Sequence, residues 1–170
     1  KRTAEYIYMA KKEEKTNVTR ILEQLKINCL QHEYSVEDNH IEAMSVAEKI
    51  SRPPESVYKT LVTKGAGGQY FVFCLPSNAE LDLKKAARAC GEKSVAMIPV
   101  ADINKVTGYI RGGCSPIGMK KKYTTVIHEA VLALDTVCLS AGRVGSQVEL
   151  APADLLRAAE ASTADIISAP

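Results

Sequence analysis

The stretch VYKTLVTKGAGGQYFVFCL, residues 57–75, decides the fold class of this chain. Two runs rich in β-branched and aromatic residues, 57–63 and 69–75, flank the turn sequence KGAGG. Glycine supplies the backbone conformations that tight turns need, so this pattern predicts a β-hairpin. A phosphate-binding loop is disfavoured, because its glycines would lead into a helix and these lead into a strand.

Outward from the hairpin, helices and strands mix without a regular β-α-β alternation. Short strands are predicted at 30–36, 95–98, 124–128, 137–140 and 147–150, and helices at 17–27, 45–50, 81–90, 100–106 and 153–160. Thr16 or Asn17 can cap the first helix, and Ser45 with Glu48 has the pattern of a capping box at the second. The class is therefore α+β, with a mixed, largely antiparallel, β-barrel-like sheet flanked by helices.

Length and composition fit one compact globular domain. The chain has 170 residues, of which 46% are hydrophobic and 25% charged, and we assign residues 9–170 to a single domain. Residues 1–8 do not continue the later pattern and are interpreted as an expression-tag remnant or an upstream extension. No apolar run approaches the roughly 18 residues of a membrane-spanning helix. The net charge of +2 argues against a strongly basic nucleic-acid binder.

The cysteine and histidine positions indicate neither a disulfide framework nor a metal site. The five cysteines are odd in number, and no pair has C-x-x-C spacing. The three histidines form no H-E-x-x-H or other paired-ligand pattern. We therefore expect a reducing, cytoplasmic compartment, no metal and no other cofactor.

The most distinctive loop is RGGCSPIG, residues 111–118. Its adjacent glycines, Gly112 and Gly113, permit close approach of the backbone to a ligand, and their N–H groups could stabilise an anion. An ordinary glycine-proline turn explains the same residues. Cys114 would need a base or a cationic neighbour to act as a nucleophile, and nothing in the sequence couples it to His128. We interpret Cys114 as a small apolar loop residue.

Three further segments have both a structural and a functional interpretation. Lys59 shares a strand face with Leu61, so it either reaches solvent along that face or meets an anionic ligand in a cleft. Ser140 precedes a tight turn, and it is either simply the end of a strand or part of a pocket. The basic run MKKKY, residues 119–123, is either a solvated turn or a contact for a phosphate backbone.

Four sequence blocks, in this order, resemble the YbaK family, whose members are free-standing relatives of the editing insertion of bacterial prolyl-tRNA synthetase. The blocks are YKTLV at 58–62, LKKAA at 83–87, TGYIRGGCSPIG at 107–118 and SAGRVGSQVELAP at 140–152. The resemblance extends over residues 17–166. It implies a mixed β-barrel-like fold with flanking helices and a trans-editing deacylase that removes cysteine wrongly attached to proline tRNA. Such a second check is needed because a binding pocket rejects a near-isostere poorly.

The resemblance also implies which residues form the site. The essential lysine of the family corresponds to Lys59 and its substrate-lining glycine to Gly112. We add the Gly113 N–H as a second group that stabilises negative charge, which makes these three residues the predicted catalytic set. The predicted substrate-binding residues are Tyr34, Thr60, Ser115, Pro116, Ser140 and Gly142. Residues 35–44 cannot be matched to the family, so any contact there stays unassigned.

The mechanism implied by the resemblance needs neither a metal nor a protein nucleophile. The thiol of the attached cysteine attacks its own ester carbonyl and releases the tRNA and a cysteine thiolactone, so the hydrolase could also act as a lyase. The expected partners are Cys-tRNA(Pro), Cys-tRNA(Cys) as a further substrate, and prolyl-tRNA synthetase, with no membrane partner. Two alternatives stay open: deacylation of another substrate such as Ala-tRNA(Pro), and a non-catalytic module that binds aminoacyl-tRNA or the synthetase.

Overall fold

The computed structural model describes residues 15–169, so the interpretation of residues 1–8 lies outside the described part. The helices in this part are α1 (Asn17–Gln24), α2 (Ala43–Lys49), α3 (Leu83–Ala89), α4 (Ile103–Thr107) and α5 (Pro152–Ala159). The strands are β1 (Leu30–Glu33), β2 (Tyr58–Gly65), β3 (Tyr70–Pro76), β4 (Val95–Met97), β5 (Thr124–His128), β6 (Val137–Ser140), β7 (Ser146–Leu150) and β8 (Ser162–Ala164). Each predicted element has a counterpart within a few residues, and β8 was not predicted.

The strands form two sheets. β1, β7 and β6 make an antiparallel sheet in that order, and β4, β2, β3, β5 and β8 make a mixed sheet in which β5 pairs in parallel with β3 and β8. The predicted hairpin is β2–β3. The α+β class and the largely antiparallel pairing are confirmed. The β-structure is not a closed barrel, because within residues 15–169 the two sheets meet at one isolated bridge, Val57 to Cys138.

The two sheets face each other across the main core. Val72 of β3 lies there in one apolar cluster with Leu139 of β6 and Val148 of β7. Because side chains alternate along a strand, the opposite faces remain to be covered. Ala86 of α3 packs on the five-stranded sheet, and Val46 of α2 packs on the three-stranded sheet. No helix between residues 15 and 169 has the length and hydrophobicity to cross a membrane.

Helix α1 holds the turn that follows β6. Its N-cap Thr16 accepts a hydrogen bond from the Thr19 N–H at 3.1 Å, which confirms the predicted cap. The Thr16 hydroxyl also donates to the Ala141 carbonyl at 2.6 Å. Val18 and Leu22 are fully buried in the core, so the helix anchors this turn from both its cap and its apolar face.

The predicted capping box at the start of α2 is wrong. The helix begins at Ala43, and its N-cap residue Glu42 makes no side-chain cap hydrogen bond. Ser45 therefore lies inside the helix. Burial of Val46 and Ala47 against the three-stranded sheet outweighs the local capping pattern, as tertiary packing commonly does.

Candidate active site

A cavity of about 660 Å³ opens where β2 passes β6. Its wall includes Lys59 and Thr60 of β2, Gly112 of the 111–118 loop and Ser140 of β6. These four residues were predicted as site residues from the sequence, and the fold brings them around one space. A concave region with a few convergent polar groups is the usual setting of a ligand site, so this cavity is the candidate active site.

Lys59 is half-buried in the cavity wall. Its Nζ donates a long hydrogen bond of 3.4 Å to the Ser77 carbonyl. Burial lowers the pKa of its ammonium, and the nearby Glu80 carboxylate partly offsets this effect. Of the two alternatives for this side chain, the cleft is the one that the structure favours. A partly desolvated cation attracts an anionic ligand more strongly than a fully exposed lysine does.

Of the two main-chain N–H groups in the double-glycine turn, one is already used in a hydrogen bond of the described residues. The Gly113 N–H donates to the Ile110 carbonyl at 2.9 Å, which closes a tight turn with Gly112 at φ +86°. Glycine adopts that conformation without strain. The Gly112 N–H has no acceptor among residues 15–169. The Gly113 N–H is not available to a substrate in this geometry, because its hydrogen is already used inside the turn.

Ser140 lies at the end of β6 and is largely buried. Its Oγ accepts a hydrogen bond from the Gly142 N–H at 3.1 Å, which leaves the hydroxyl hydrogen for a ligand. Gln147 is its direct partner across the β6–β7 pair and also lines the cavity. The wall therefore combines a cation, a main-chain N–H, a hydroxyl and an amide.

Cys114 also lines the cavity, which its interpretation as a plain loop residue did not anticipate. Burial raises the pKa of its thiol to about 11, so the thiol is protonated at neutral pH. No histidine of the described chain lines the cavity. His128 instead accepts a hydrogen bond from the Ile166 N–H at 3.4 Å and lies 3.8 Å from Asp165. Cys114 therefore has no histidine in the cavity to activate it.

Four predicted substrate contacts lie outside the cavity wall. Ser115 is fully buried, and its Oγ accepts a hydrogen bond from the adjacent loop. Pro116 lines a separate cavity of about 650 Å³. Gly142 lies against Val18 of α1, and Tyr34 lies beneath α2. None of these four residues lines the 660 Å³ cavity in this geometry.

Comparison with known proteins decides the family. Residues 39–158 match the family model of the aminoacyl-tRNA editing domain. The chain belongs to the aminoacyl-tRNA editing domain family. This finding confirms the resemblance seen in the sequence blocks.

One curated relative of this editing domain matches nearly all of the chain, and another matches about half of it. A protein from Enterococcus faecalis named as the Cys-tRNA(Pro)/Cys-tRNA(Cys) deacylase EbsC is 43% identical over 160 residues, which cover 93% of this chain and 98% of that protein. A proline–tRNA ligase from Fervidobacterium nodosum is 33% identical over 78 residues, which cover 46% of this chain and 13% of the ligase. A solved structure described as a trans-editing enzyme for prolyl-tRNA synthetase has a TM-score of 0.78 at 22% identity, covering 90% of this chain and 96% of that one. The structural likeness shows the shared fold.

The editing domain has cavity residues that sequence reasoning missed. Asn39, Ile41 and Glu42 precede α2, in the segment that could not be matched to the family. Arg111 stands directly before the double glycine and also lines the cavity. A charge beside a candidate ligand-binding turn was a signal for Arg111. The other three have no local pattern, and the fold alone brings their loop to the cavity.

One group of metal-ligating residue types lies elsewhere in residues 15–169 of the editing domain: His32, Cys138 and Glu149. Glu149 Oε1 lies 2.7 Å from His32 Nε2 and accepts from Arg52 Nε at 2.9 Å, while Oε2 accepts from Thr136 at 2.5 Å. Burial alone would raise the pKa of Glu149, but these hydrogen bonds outweigh it and hold the pKa below its usual value. The Arg52 guanidinium opposes a second cation beside the same carboxylate. We interpret the group as a polar network that joins β1, β7 and the segment after α2.

The basic run at 119–123 does not line the 660 Å³ cavity of the editing domain. It lines the separate cavity that also contains Pro116. Lys122 pairs with Glu160, and Lys120 Nζ donates to the Lys105 carbonyl at 3.3 Å. Two of its lysines are therefore engaged within the protein, as in an ordinary surface turn.

Proposed function

We propose that this chain is a trans-acting deacylase that removes cysteine from mischarged Cys-tRNA(Pro), with Cys-tRNA(Cys) as a further substrate. Its family supports cleavage of an aminoacyl ester bond. The name of the Enterococcus relative, which is 43% identical over almost its full length, supports cysteine as the amino acid. Such a substrate implies that the protein acts in the cytoplasm, where tRNA is aminoacylated.

One observation carries the proposed mechanism: polar groups line the cavity, but none of them is an activated protein nucleophile. Burial keeps the pKa of Cys114 at about 11. Within residues 15–169, no basic side chain lies within hydrogen-bond distance of the Ser140 hydroxyl. This observation supports attack by the free thiol of the attached cysteine, which the substrate itself supplies.

The reaction then proceeds within the bound aminoacyl group. The cysteine sulfur attacks the ester carbonyl carbon, a C–S bond forms, and the C–O bond to the tRNA 3′ oxygen breaks. The thiol proton ends on that oxygen, and the products are uncharged tRNA and cysteine thiolactone. Correct orientation of reacting groups can lower a barrier by about 7–11 kcal/mol, so positioning suffices to accelerate this step.

Three groups have roles in this reaction. The Gly112 N–H donates to the carbonyl oxygen as negative charge develops there. Lys59 binds the ribose-phosphate of the terminal adenosine, with the carbonyl region as the alternative contact. Ser140 orients the α-amine or the thiol of the attached cysteine.

We further propose that association with prolyl-tRNA synthetase directs the deacylase to proline tRNA. The net charge of +2 supports weak nonspecific attraction to the tRNA body, so a second source of selectivity is needed. The local match to a proline–tRNA ligase supports a substrate in common. Co-sedimentation of the two purified proteins, with and without tRNA(Pro), measures this association.

A deacylation panel tests the proposed activity. Purified protein is incubated with tRNA(Pro) carrying cysteine, serine, alanine or proline, and the rate of loss of each amino acid is measured. We expect rapid loss of cysteine alone, and serine is the sharpest control because oxygen replaces sulfur at nearly the same shape. Equal loss of serine would contradict the thiol mechanism. Preferred loss of alanine would change the substrate, and binding without turnover would favour a non-catalytic module.

Cys114→Ala distinguishes the substrate thiol from the protein thiol. Because burial keeps the Cys114 thiol protonated and no histidine of the described residues lines the cavity, the variant should retain most of the deacylation rate. Lys59→Ala, in contrast, should abolish deacylation while the circular dichroism spectrum stays unchanged. A folded Cys114→Ala variant without activity would restore a protein nucleophile to the mechanism.

A further inference from the structure

The segment between β1 and α2, residues 35–42, forms part of the cavity although its sequence carried no assignment. Asn39, Ile41 and Glu42 of this 35–42 loop line the cavity. Ile41 lies against the double-glycine turn, since a Cβ built at Gly112 would stand 2.8 Å from Ile41 Cδ1. The position of the 35–42 loop therefore sets one wall of the space around the Gly112 N–H.

One lysine ties the 35–42 loop to α2. Lys49, the last residue of α2, donates from Nζ to the Ser35 carbonyl at 2.8 Å, to Asp38 Oδ1 at 2.8 Å and to the His40 carbonyl at 2.9 Å. An ammonium has three donors, so all of them are used here. The side chain is 20% exposed, and Nζ lies 5.9 Å from the centroid of the Tyr34 ring.

A cation at this position holds together three oxygen acceptors that would otherwise repel one another. The hydrogen bond from Lys49, followed by that from the His40 N–H, lowers the pKa of Asp38, so its carboxylate is charged at neutral pH. Hydrogen bonds between ionised partners are stronger than neutral ones. A neutral side chain in place of Lys49 would leave the carboxylate and two carbonyls without their common donor.

We propose that Lys49 is a positioning residue of the deacylase: it closes the 35–42 loop over the cavity and thereby holds Ile41 against the Gly112 turn. This inference rests on the proposed function. Lys49 does not line the cavity and acts through the 35–42 loop. Its removal weakens substrate binding more than it slows the bound substrate, because Ile41 belongs to the wall around the substrate, whereas the Gly112 turn keeps its own hydrogen bond from the Gly113 N–H to the Ile110 carbonyl.

Lys49→Met tests this role, because it removes the charge and keeps an unbranched side chain. We expect KM for Cys-tRNA(Pro) to rise about tenfold, which corresponds to about 1.4 kcal/mol, while kcat changes by less than about twofold. Lys49→Arg keeps several donors on a cation and should restore most of the affinity.

Lys85→Met is the matched control. Lys85 Nζ also donates to one carboxylate, Asp165 at 2.9 Å, and to one main-chain carbonyl, Ile167 at 2.8 Å. None of these three residues lines the cavity. We expect KM and kcat of this variant to equal those of the unmodified protein, and a rise of KM equal to that of Lys49→Met would overturn the proposal.

Amide hydrogen exchange gives a readout that does not depend on activity. The Asn39 N–H donates to the Val36 carbonyl at 3.1 Å, and the His40 N–H donates to Asp38 Oδ1 at 3.0 Å. In Lys49→Met both amides should exchange at least about tenfold faster while the amides of β2 and β3 keep their protection. Unchanged exchange in the 35–42 loop would overturn the proposal.

Two further results keep the inference separate from the proposed function. Absence of deacylation by the unmodified protein would overturn the proposed function, and the exchange experiment would still decide the role of Lys49 in the loop. If Lys49→Met fails to fold, Asp38→Asn weakens the same tie from its exposed end. That variant should show a smaller rise in KM and faster exchange of the His40 N–H. If both KM and the exchange rate stay unchanged, the proposal is overturned.

Discussion

A half-buried ammonium makes the electrostatics of the cavity depend on pH. Burial lowers the pKa of Lys59, so its positive charge is lost at a lower pH than that of an exposed lysine. The substrate thiol has an ordinary pKa of about 8.5, and its thiolate is the attacking form. Catalysed deacylation should therefore rise as the substrate thiol ionises and fall as Lys59 loses its proton.

Lys59→Arg separates these two effects. Arginine stays protonated throughout the accessible range, so the alkaline fall of the profile should disappear or move to higher pH in the variant. The measurement is kcat/KM between pH 7 and 10, after subtraction of spontaneous ester hydrolysis. Identical alkaline limbs in the two proteins would show that another group controls the fall.

Gly112 combines a backbone requirement with a steric one. In Gly112→Ala the left-handed conformation costs about 1–2 kcal/mol of stability, and the new methyl group meets Ile41. Gly68→Ala is the control, because Gly68 has φ +92° but no heavy atom within 4 Å of the added Cβ. Thermal unfolding should show a loss of stability in both variants, larger in Gly112→Ala because of the contact with Ile41, whereas deacylation should fall at least about tenfold in Gly112→Ala alone. Equal activity of the two variants would remove Gly112 from the site.

At the scale of secondary-structure elements, the polar network around Glu149 of β7 joins β1 to the segments after α2 and before β6. Its carboxylate receives hydrogen bonds from Arg52 after α2 and from Thr136 before β6, and it contacts His32 of β1. Its side chain is 8% exposed, so a partner left without it remains poorly solvated. This network therefore fixes the edge of the three-stranded sheet from which the 35–42 loop starts.

Glu149→Gln should lower the free energy of unfolding at pH 7 by about 1.5–3 kcal/mol, measured by urea denaturation. Because the pKa of Glu149 is lowered in the folded state, its stabilising effect is fully present above the unfolded value near 4.5 and is lost as pH falls through the folded value. The difference between the two proteins should thus shrink in acid. Glu23→Gln, which removes an exposed ion pair with Lys15, should cost less than about 1 kcal/mol. A difference that persists at pH 2 would contradict the assignment to ionised Glu149.

At the scale of the whole molecule, the shared core makes the two sheets one folding unit. Val72 of the five-stranded sheet and Leu139 of the three-stranded sheet lie in the same apolar cluster. Phe73, on the opposite face of β3, is fully buried against α3. Damage to one sheet should therefore destabilise the other as well.

Phe73→Ala should lower the free energy of unfolding by about 3–5 kcal/mol. Unfolding should remain a single transition, in which the thiol of Cys138 in the other sheet becomes reactive at the same urea concentration at which the far-ultraviolet circular dichroism is lost. Thiol labelling across the urea series measures this. Labelling of Cys138 after the circular dichroism transition would show that the three-stranded sheet folds independently.

The local elements could largely be predicted, because the patterns that encode them extend over a few residues. The KGAGG turn between two apolar runs is the β2–β3 hairpin, and Thr16 caps α1. β8 was not predicted, since three residues near the end of the chain carry too short a pattern. The capping box at Ser45 failed because burial of α2 outweighs a local hydrogen-bond preference.

By itself the sequence predicted the α+β class, and its resemblance to a known family predicted four residues that line the same cavity, Lys59, Thr60, Gly112 and Ser140. The tertiary structure alone decided that the β-structure forms two sheets, that the Gly113 N–H is used inside its turn and that the 35–42 loop reaches the cavity. The physical reason is the distance along the chain over which each interaction acts. Backbone preferences and side-chain periodicity act between near neighbours, whereas a cavity wall depends on how segments far apart in the chain pack together.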